Sequence, residues 1–479
     1  MSKHFAAAFF VLPLILQIFN NCFGQNSDIT ITIRSVSPPI AEIRGSFGQS
    51  SIQKNFSMVR DNAGISNLAE RVSAIRLEDS DGKPVVFKQF IPGEYVADRG
   101  YSGWSYRLDL TPQKVAAMNA HISWIGNNDG LLFLDDVLPL QSVKDCVKAR
   151  INLQVPDGWT IFGNENAAVG CSARPAYFLS KRARTVNIGT PTPADLIISG
   201  DWKFSDEQAA GFVNEIYAKY TRLFGSSPPN KNYVYILPFP TAVSPGNWEA
   251  DTRGSTVTIL SSDMPFQTQS VQRLHEQLRH EIFHLWMPNA VHLKGNYDWF
   301  YEGFALYESL KLGVELNRLR FDDMLDTLSR SMTFDAAFTD SRSLIAASNS
   351  RVTGEDTRLY ARGMLIAFLT DLKMISRSHG KEDVTDLLRT IYDKYKDAKN
   401  ESNGNEAVLA AIGDNEIRRH VETGEPIIWD DALHSAGIEK VDEKGSISLR
   451  TVSKPNSSQK KFLDKLGYNN WRKSSVAPK

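Results

Sequence analysis

Apolar and polar residues alternate over short stretches in the first third of the chain. Residues 29–33 and 101–110 follow a period of two. A turn sequence at 79–84, Asp-Ser-Asp-Gly-Lys-Pro, precedes an apolar run at 85–87 and indicates a hairpin. Short strands separated by turns are typical of a β-sandwich. We therefore predict a β-rich, sandwich-like N-terminal domain over residues 25–190.

Helical and strand periodicities mix from about residue 191 onward. Apolar residues spaced three or four apart run from Asp206 to Phe224, where Gly225 ends the pattern. Similar patterns predict further helices from about 271, 299, 359 and 384, and strands at 233–237 and 255–260. These elements predict a second domain of mixed helices and strands over residues 191–398.

The remaining chain is predicted to be helical and then polar. A loop at 399–405 is followed by helical patterns to about 437, which form a helical C-terminal region over 399–437. Residues 438–479 are rich in lysine and serine and predict a loosely docked polar tail. The fold class expected is therefore a multidomain α+β protein.

The first residues have the features of a targeting segment. A short apolar run at 5–19 precedes the small residue Gly24, which predicts a signal peptide over 1–24 and export to a periplasmic or extracellular space. After cleavage no stable membrane insertion is expected. An uncleaved anchor is the alternative.

Two cysteines follow that segment. In an oxidising compartment Cys146 and Cys171 could close a loop with 24 residues between them, worth about 3 kcal/mol by chain entropy. Two buried free thiols are equally consistent with the sequence, because the distance between the α-carbons decides between the two states.

The candidate chemistry lies in a predicted helix that contains the sequence His280-Glu281-Ile282-Phe283-His284. Residues four apart lie on one face of a helix, so both imidazoles can bind one metal ion. Glu281 then lies beside that ion and can accept a proton from an attacking water molecule. A third ligand would distinguish such a site from a chance occurrence of the pattern.

Two later segments offer the remaining groups. Glu302, 18 positions after His284, lies near the start of an aromatic helix and can complete a three-ligand zinc site that leaves a position for water. Tyr360 lies in a further helix, and its hydroxyl can donate to an oxyanion. Their structural alternatives are a glutamate favoured by the helix dipole and a packing tyrosine.

These segments resemble the glycyl aminopeptidase family of gluzincin zinc metallopeptidases, which is related to aminopeptidase N and leukotriene hydrolase. The resemblance covers most of residues 150–440. Its sequences are GNWEADTRGSTV from Gly246, HEIFHLW from His280, WFYEGFALY from Trp299 and YARGMLIAFLTDLKM from Tyr360.

The resemblance implies a role for each residue of the site. One zinc ion would be bound by His280, His284 and Glu302. Glu281 would act as general base and Tyr360 as oxyanion donor. Further residues would contact the substrate: Glu249 near its free amino group, with Gly246 and Trp248 beside it. The domain over residues 191–398 would be thermolysin-like, with residues 255–260 as the edge strand along which an extended substrate lies and Glu249 in the loop that leads to it.

The chain also departs from the family pattern. Asn247, Trp248 and Ala250 replace the residues usual around the substrate glutamate, and Arg362 replaces a lysine. A tryptophan there could reshape the first substrate pocket, so a preference for N-terminal glycine does not follow. The PDZ domain of many relatives is not expected, since too little chain follows the catalytic part.

The composition of the chain limits the classes of binding partner that we expect. Lysine plus arginine number 54 against 55 acidic residues, a net charge of −1, which gives no basis for nucleic-acid binding. A hydrophobic content of 42% allows large cores. We expect a peptide or protein substrate. The function predicted is an exported zinc aminopeptidase; the alternatives are a zinc endopeptidase and a catalytically silent binding protein of the same fold.

Overall fold

A computed structural model describes residues 27–46, 53–62, 64–140, 149–163, 176–189, 192–338, 342–350, 356–443 and 445–471. The predicted signal peptide, Cys146 and Cys171 lie outside these ranges and stay predictions. No helix in the described ranges has the length and apolar content needed to cross a membrane.

The described residues form a mixed α+β structure. The strands are β1 Ser27–Val36, β2 Pro39–Ser46, β3 Gln53–Ser57, β4 Val72–Glu78, β5 Pro84–Val85, β6 Phe87–Ile91, β7 Glu94–Tyr101, β8 Gly103–Asp109, β9 Trp124–Ile125, β10 Asp129–Phe133, β11 Ala149–Gln154, β12 Thr160–Phe162, β13 Ala176–Ser180, β14 Arg184–Val186, β15 Ala194–Ile198, β16 Asn232–Pro238, β17 Trp248–Arg253, β18 Thr256–Ser261, β19 Leu293–Lys294, β20 Ser402–Asn403, β21 Ile438–Glu443 and β22 Ser446–Thr451.

The α-helices of the same ranges follow mostly in the second half. They are α1 Leu134–Val137, α2 Asp206–Phe224, α3 Gln267–Phe283, α4 Asp298–Glu315, α5 Phe321–Ala337, α6 Leu344–Asn349, α7 Asp356–Arg377, α8 Val384–Tyr395, α9 Gly404–Ile412, α10 Asn415–Glu422, α11 Asp430–Ala436 and α12 Ser457–Lys465. Short 3₁₀ helices occur at Leu68–Arg71 and Ala116–Ala120.

Two sheets of the N-terminal part share one core. The six-stranded sheet has the order β11-β1-β2-β8-β4-β5 and the three-stranded sheet the order β3-β7-β6. Ile31 and Ile43 from the first and Phe56 and Tyr95 from the second are buried in the same cluster. Isoleucines at every second position of β1 face this core, because successive side chains of a strand point to opposite faces. This arrangement agrees with the predicted β-sandwich.

The central sheet has the order β14-β15-β16-β18-β17, with β15, β16 and β18 parallel and β17 antiparallel at one edge. We expected residues 255–260 to be this edge strand and Glu249 to lie in the loop before it. That prediction was wrong, because β17 is the edge strand and contains Glu249. All six residues of β18 are buried, which is typical of an internal strand, whereas polar side chains are tolerated on β17 at the edge.

Helices cover one face of the central sheet. The α2 helix has the predicted bounds, since Ser205 forms a capping box with Gln208 and Gly225 ends the helix with a φ of 78°. The α3 and α4 helices pack beside it, and all three contribute to the largest core. The other face of the sheet packs on the N-terminal part, where the Phe178 and Tyr235 ring centroids are 5.5 Å apart.

The C-terminal segment is not a loosely docked tail as far as the structure describes it. The strands β21 and β22 form a hairpin, and α12 follows it. Leu449, Phe462 and Leu463 are buried in the largest core. The prediction was wrong because a few well-spaced apolar residues suffice to dock a segment whose other side chains are polar and exposed.

Candidate functional site

Two histidines at the end of α3 face each other. The helix ends at Phe283, but His284 keeps a helical backbone with φ −66° and ψ −15°, so the predicted four-residue spacing holds. The Nε2 atoms of His280 and His284 are 3.2 Å apart. The Tyr220 hydroxyl of α2 donates to the carbonyl of Arg279 at 2.6 Å and helps to fix this end of the helix.

Glu302 of α4 completes a triangle of donor atoms. Its Oε2 atom is 3.3 Å from Nε2 of His280 and 3.4 Å from Nε2 of His284. Ligands about 2.1 Å from a tetrahedral zinc ion lie about 3.4 Å from one another. All three residues are buried, and they form a group able to hold a metal ion. The residues therefore fit the zinc ion that the sequence predicted.

Hydrogen bonding orients one of the ligands. The Nδ1 atom of His284 is 3.0 Å from the carbonyl oxygen of Met287, to which it donates, so the Nε2 lone pair is left for a metal. Burial lowers the pKa of His284, but the Glu302 carboxylate outweighs this effect and the pKa is raised to about 9. A cation is thus strongly favoured between these side chains, and a bound metal takes the place of the proton.

Glu281 lies next to the triangle in a buried position. Burial raises its pKa. The Thr252 hydroxyl donates to Oε2 of Glu281 at 2.7 Å, while Oε1 lies 4.0 Å from Nε2 of His280. One carboxylate oxygen is therefore held by β17 and the other lies toward the ligands, as a general base requires.

Tyr360 reaches the site from α7. Its ring centroid is 6.5 Å from that of His280, and the side chain is half-buried. This proximity depends on two glycines, because a Cβ atom on Gly303 would collide with the backbone of Gly363, and one on Gly363 would lie 2.5 Å from the carbonyl oxygen of Trp299. Helices α4 and α7 cross closely at this pair, which supports the position of Tyr360 near His280.

Glu249 occupies a half-buried position on the edge strand. Burial raises its pKa, the His121 side chain lowers it, and the charge of Glu281 raises it further. Glu249 is therefore close enough to Glu281 to interact with it electrostatically. Trp248 and Thr252 point to the opposite face of β17 from Glu249, because their positions differ from it by odd numbers. Gly246 precedes the strand in a turn with a φ of 84°.

The sequence did not predict two side chains that organise the site. Thr252 holds Glu281, and His121 of the N-terminal part lies beside β17, where its Nδ1 atom is 2.9 Å from Oδ2 of Asp251. The alternation Glu249, Asp251, Arg253 was a possible signal for a polar strand face. Nothing in the sequence connects His121 with residues 130 positions later.

Other polar residues close to these motifs in the chain are not part of the ligand triangle. His275 is buried with Nε2 2.9 Å from Oε1 of Glu215, and the His292 side chain is exposed. Glu308 is buried near Lys311. Arg362 is buried and its guanidinium pairs with Asp335 at 2.8 Å.

Comparisons with known proteins relate the chain to others by fold. No protein-family model and no curated protein matches its sequence. An aminopeptidase N family protein from Idiomarina loihiensis superposes with a TM-score of 0.73 at 12% identity, over 90% of this chain and 82% of that one. An M1 zinc metallopeptidase from Deinococcus radiodurans gives a TM-score of 0.53 at 13% identity, over 84% and 95%.

A further solved structure, a variant of the Deinococcus enzyme bound to a Tyr-Ser-Ala substrate, has a TM-score of 0.54 at 14% identity and covers 84% of this chain and 94% of that one. At such identities the likeness shows a shared fold. That fold agrees with the predicted relation to aminopeptidase N, while membership of the glycyl aminopeptidase family stays a prediction.

Proposed function

We propose that this protein is a zinc metallopeptidase, and within that class an aminopeptidase that releases N-terminal residues. The observation that carries the proposal is the buried triangle of His280, His284 and Glu302 with the Glu281 carboxylate beside it. Three protein ligands and an adjacent base are typical of hydrolytic zinc sites, whereas structural sites use four protein ligands. The shared fold with zinc metallopeptidases supports this assignment.

Each side chain of the site has its own role in the proposed reaction. A zinc ion in this site would lower the pKa of a water molecule and polarise the peptide carbonyl. Glu281 accepts a proton from the attacking water and returns it to the departing amine. The Thr252 hydroxyl keeps the Glu281 carboxylate in place at 2.7 Å. Tyr360 donates a hydrogen bond to the oxyanion that forms during attack.

We assign the preference for the N-terminus of a peptide substrate to residues of the edge strand β17. Glu249 is half-buried near Glu281, and a cationic α-ammonium group beside it would offset the cost of burying its charge. An ammonium held there would place the first peptide bond at the site and exclude longer N-terminal extensions. We assign Trp248 and Gly246, which flank Glu249 in the chain, to the pocket for the first side chain.

The cellular setting and the division of the chain belong to the same proposal. The signal peptide over 1–24 implies action in the periplasm or outside the cell.

We assign substrate binding to the domain over 191–398. The β-rich domain over 25–190 would lie beside it, and the helical region over 399–437 would complete the catalytic half of the protein. One zinc ion is the expected cofactor, and Cys146 and Cys171 are a candidate disulfide.

The decisive experiment compares aminoacyl-anilides and peptides with their N-acetylated forms. Wild type and Glu281→Gln are assayed after both are shown to bind one zinc ion with equal affinity. We expect wild type to hydrolyse only free-amine substrates and Glu281→Gln to lose at least about 10³-fold in kcat, because the proton acceptor is removed.

The outcomes separate the alternative functions. Cleavage of acetylated peptides by wild type would replace the aminopeptidase assignment with an endopeptidase. Zinc-loaded wild type that hydrolyses no substrate would favour a silent binding protein. Equal activity of wild type and Glu281→Gln would reject the mechanism altogether.

A further inference from the structure

The N-terminal β-rich part contacts the edge strand through a cluster of charged side chains. Arg253 of β17 donates from Nη1 to Oδ1 of Asp135 at 3.0 Å and from Nη2 to the carbonyl of His121 at 2.6 Å. The same guanidinium donates from Nε to Oδ2 of Asp251 at 2.8 Å. Arg253 is only 7% exposed, so these contacts are shielded from water and hold the two parts together more firmly than surface ion pairs.

The cluster orients one imidazole ring. Arg253 and His121 hold the pKa of the half-buried Asp251 well below its usual range, against the effect of burial. Asp251 is therefore an anion, and His121 donates to it from Nδ1 over 2.9 Å. The backbone carbonyl of His121 also accepts from Asn62 at 3.0 Å, so the residue is fixed at both its main chain and its side chain.

Strand geometry places Glu249 beside this ring. Glu249 and Asp251 are two positions apart on β17 and therefore lie on the same face. The His121 side chain favours the charged form of the Glu249 carboxylate, whereas burial and Glu281 disfavour it. Because it is bonded to Asp251, the His121 ring lies over the face of β17 that carries Glu249, close enough to interact electrostatically with that carboxylate.

We propose that His121 is a positioning residue for substrate recognition: held by Asp251, its imidazole fixes the Glu249 carboxylate toward the cleft, so that the N-terminal β-rich part sets the preference for substrates with a free amino group. This inference rests on the aminopeptidase function proposed above. His121 acts through Glu249 and does not take part in the chemical step.

Binding to an inactive variant tests this role without turnover. In the Glu281→Gln background, the affinity of a free-amine tripeptide and of its N-acetylated form is measured by calorimetry. We expect His121→Ala to weaken binding of the free-amine peptide about tenfold and to leave the acetylated peptide unchanged, because only the ammonium group depends on Glu249. His121→Asn, which can still donate to Asp251, should recover part of the loss.

Turnover provides the second readout. With the Glu281 side chain restored, His121→Ala should raise KM for free-amine substrates about tenfold and leave kcat within about twofold, since the acceptor of the proton is untouched. The exposed His292→Asn is the matched control and should change neither constant. Zinc content of all variants should stay equal and His121→Ala should still fold, because Arg253 continues to pair with Asp251 and with the main-chain carbonyl of residue 121.

The results distinguish failure of this role from failure of the proposed function. A wild-type preference for free amines that persists in His121→Ala overturns the positioning role alone. Equal losses in kcat and KM, or a lowered Tm with lost zinc, show a structural role instead. Absence of any free-amine preference in the wild type overturns both proposals.

Discussion

The geometry of this site depends on the proposed zinc ligands and on a side chain that holds the proposed base. His280, His284 and Glu302 match the spacing of a zinc-ligand triangle within 3.2–3.4 Å. Thr252 is needed as well, because it is the partner that holds one oxygen of Glu281. A carboxylate that was free to rotate would spend less time aligned for proton transfer.

The Thr252 contact can be removed without changing the shape of the side chain. Thr252→Val should lower kcat about tenfold while zinc affinity stays the same, because only the hydrogen bond to Glu281 is lost. Thr258→Val is the matched control, since Thr258 lies opposite Asp251 in the register and its hydroxyl has no partner among the described residues. Steady-state kinetics on a free-amine substrate measures both; an unchanged kcat in Thr252→Val would rule out the orienting role.

Glu308 makes stability depend on pH. Burial raises its pKa from 4.5 to about 7, despite the opposing effect of Lys311, while Asp383 and Asp371 add to the rise. The folded protein therefore binds a proton more tightly than the unfolded chain. This contribution to stability is complete below pH 4.5 and is lost as the pH rises through 7.

Glu308→Gln tests the effect, because glutamine resembles the protonated carboxyl group. At pH 5 wild type and variant should unfold in urea with similar free energies, and at pH 8 the variant should be more stable by about 2–3 kcal/mol. If the difference in unfolding free energy between wild type and variant were the same at the two pH values, this would contradict a raised pKa of Glu308.

Pairs of elements set the distances within the site. The first two proposed ligands and the proposed base come from α3 and the residue that follows it, and the third ligand comes from α4. The proposed oxyanion donor comes from α7, and the groups proposed to face the substrate come from β17. The close crossing of α4 and α7 at Gly303 and Gly363 is the contact that brings Tyr360 near the ligands. The sequence contains both glycines but gives no sign that they face each other.

Adding one methyl group at the crossing should separate the helices. Gly363→Ala should cost about 3 kcal/mol of unfolding free energy and lower kcat, because the new Cβ meets the main chain of Trp299 and cannot be accommodated by a rotamer change. Gly211→Ala in α2 is the control: no atom lies within 4 Å of its Cβ position, so a small gain in stability is expected. Equal effects of the two substitutions would show that the crossing tolerates a larger distance.

The whole molecule is held together by a core that extends past the site-bearing helices into the C-terminal segment. Leu463 of α12 is 1% exposed and belongs to the same cluster as residues of α3 and α4. The cluster at Arg253 joins the edge strand to the N-terminal part at the other side. The site-bearing helices and strand are therefore supported from both ends of the chain.

The docking of α12 has a measurable consequence. Leu463→Ala should lower the free energy of unfolding by about 2–4 kcal/mol, because it leaves a cavity in the largest core. The exposed Lys460→Ala, on the same helix, should change it by less than about 0.5 kcal/mol. Urea titrations compare the two, and equal small effects would indicate that the helix is only loosely attached.

The sequence alone determined the parts whose signal is local. Helical spacing placed His280 and His284 on one face, apolar spacing and Gly225 gave the bounds of α2, and period-two alternation gave β1. Tertiary structure decided the rest: β17 rather than β18 as the edge strand, the docked C-terminal segment, and the contacts of Thr252 and His121. These depend on which surfaces meet in space, and residues far apart in the chain carry no periodicity that relates one surface to the other.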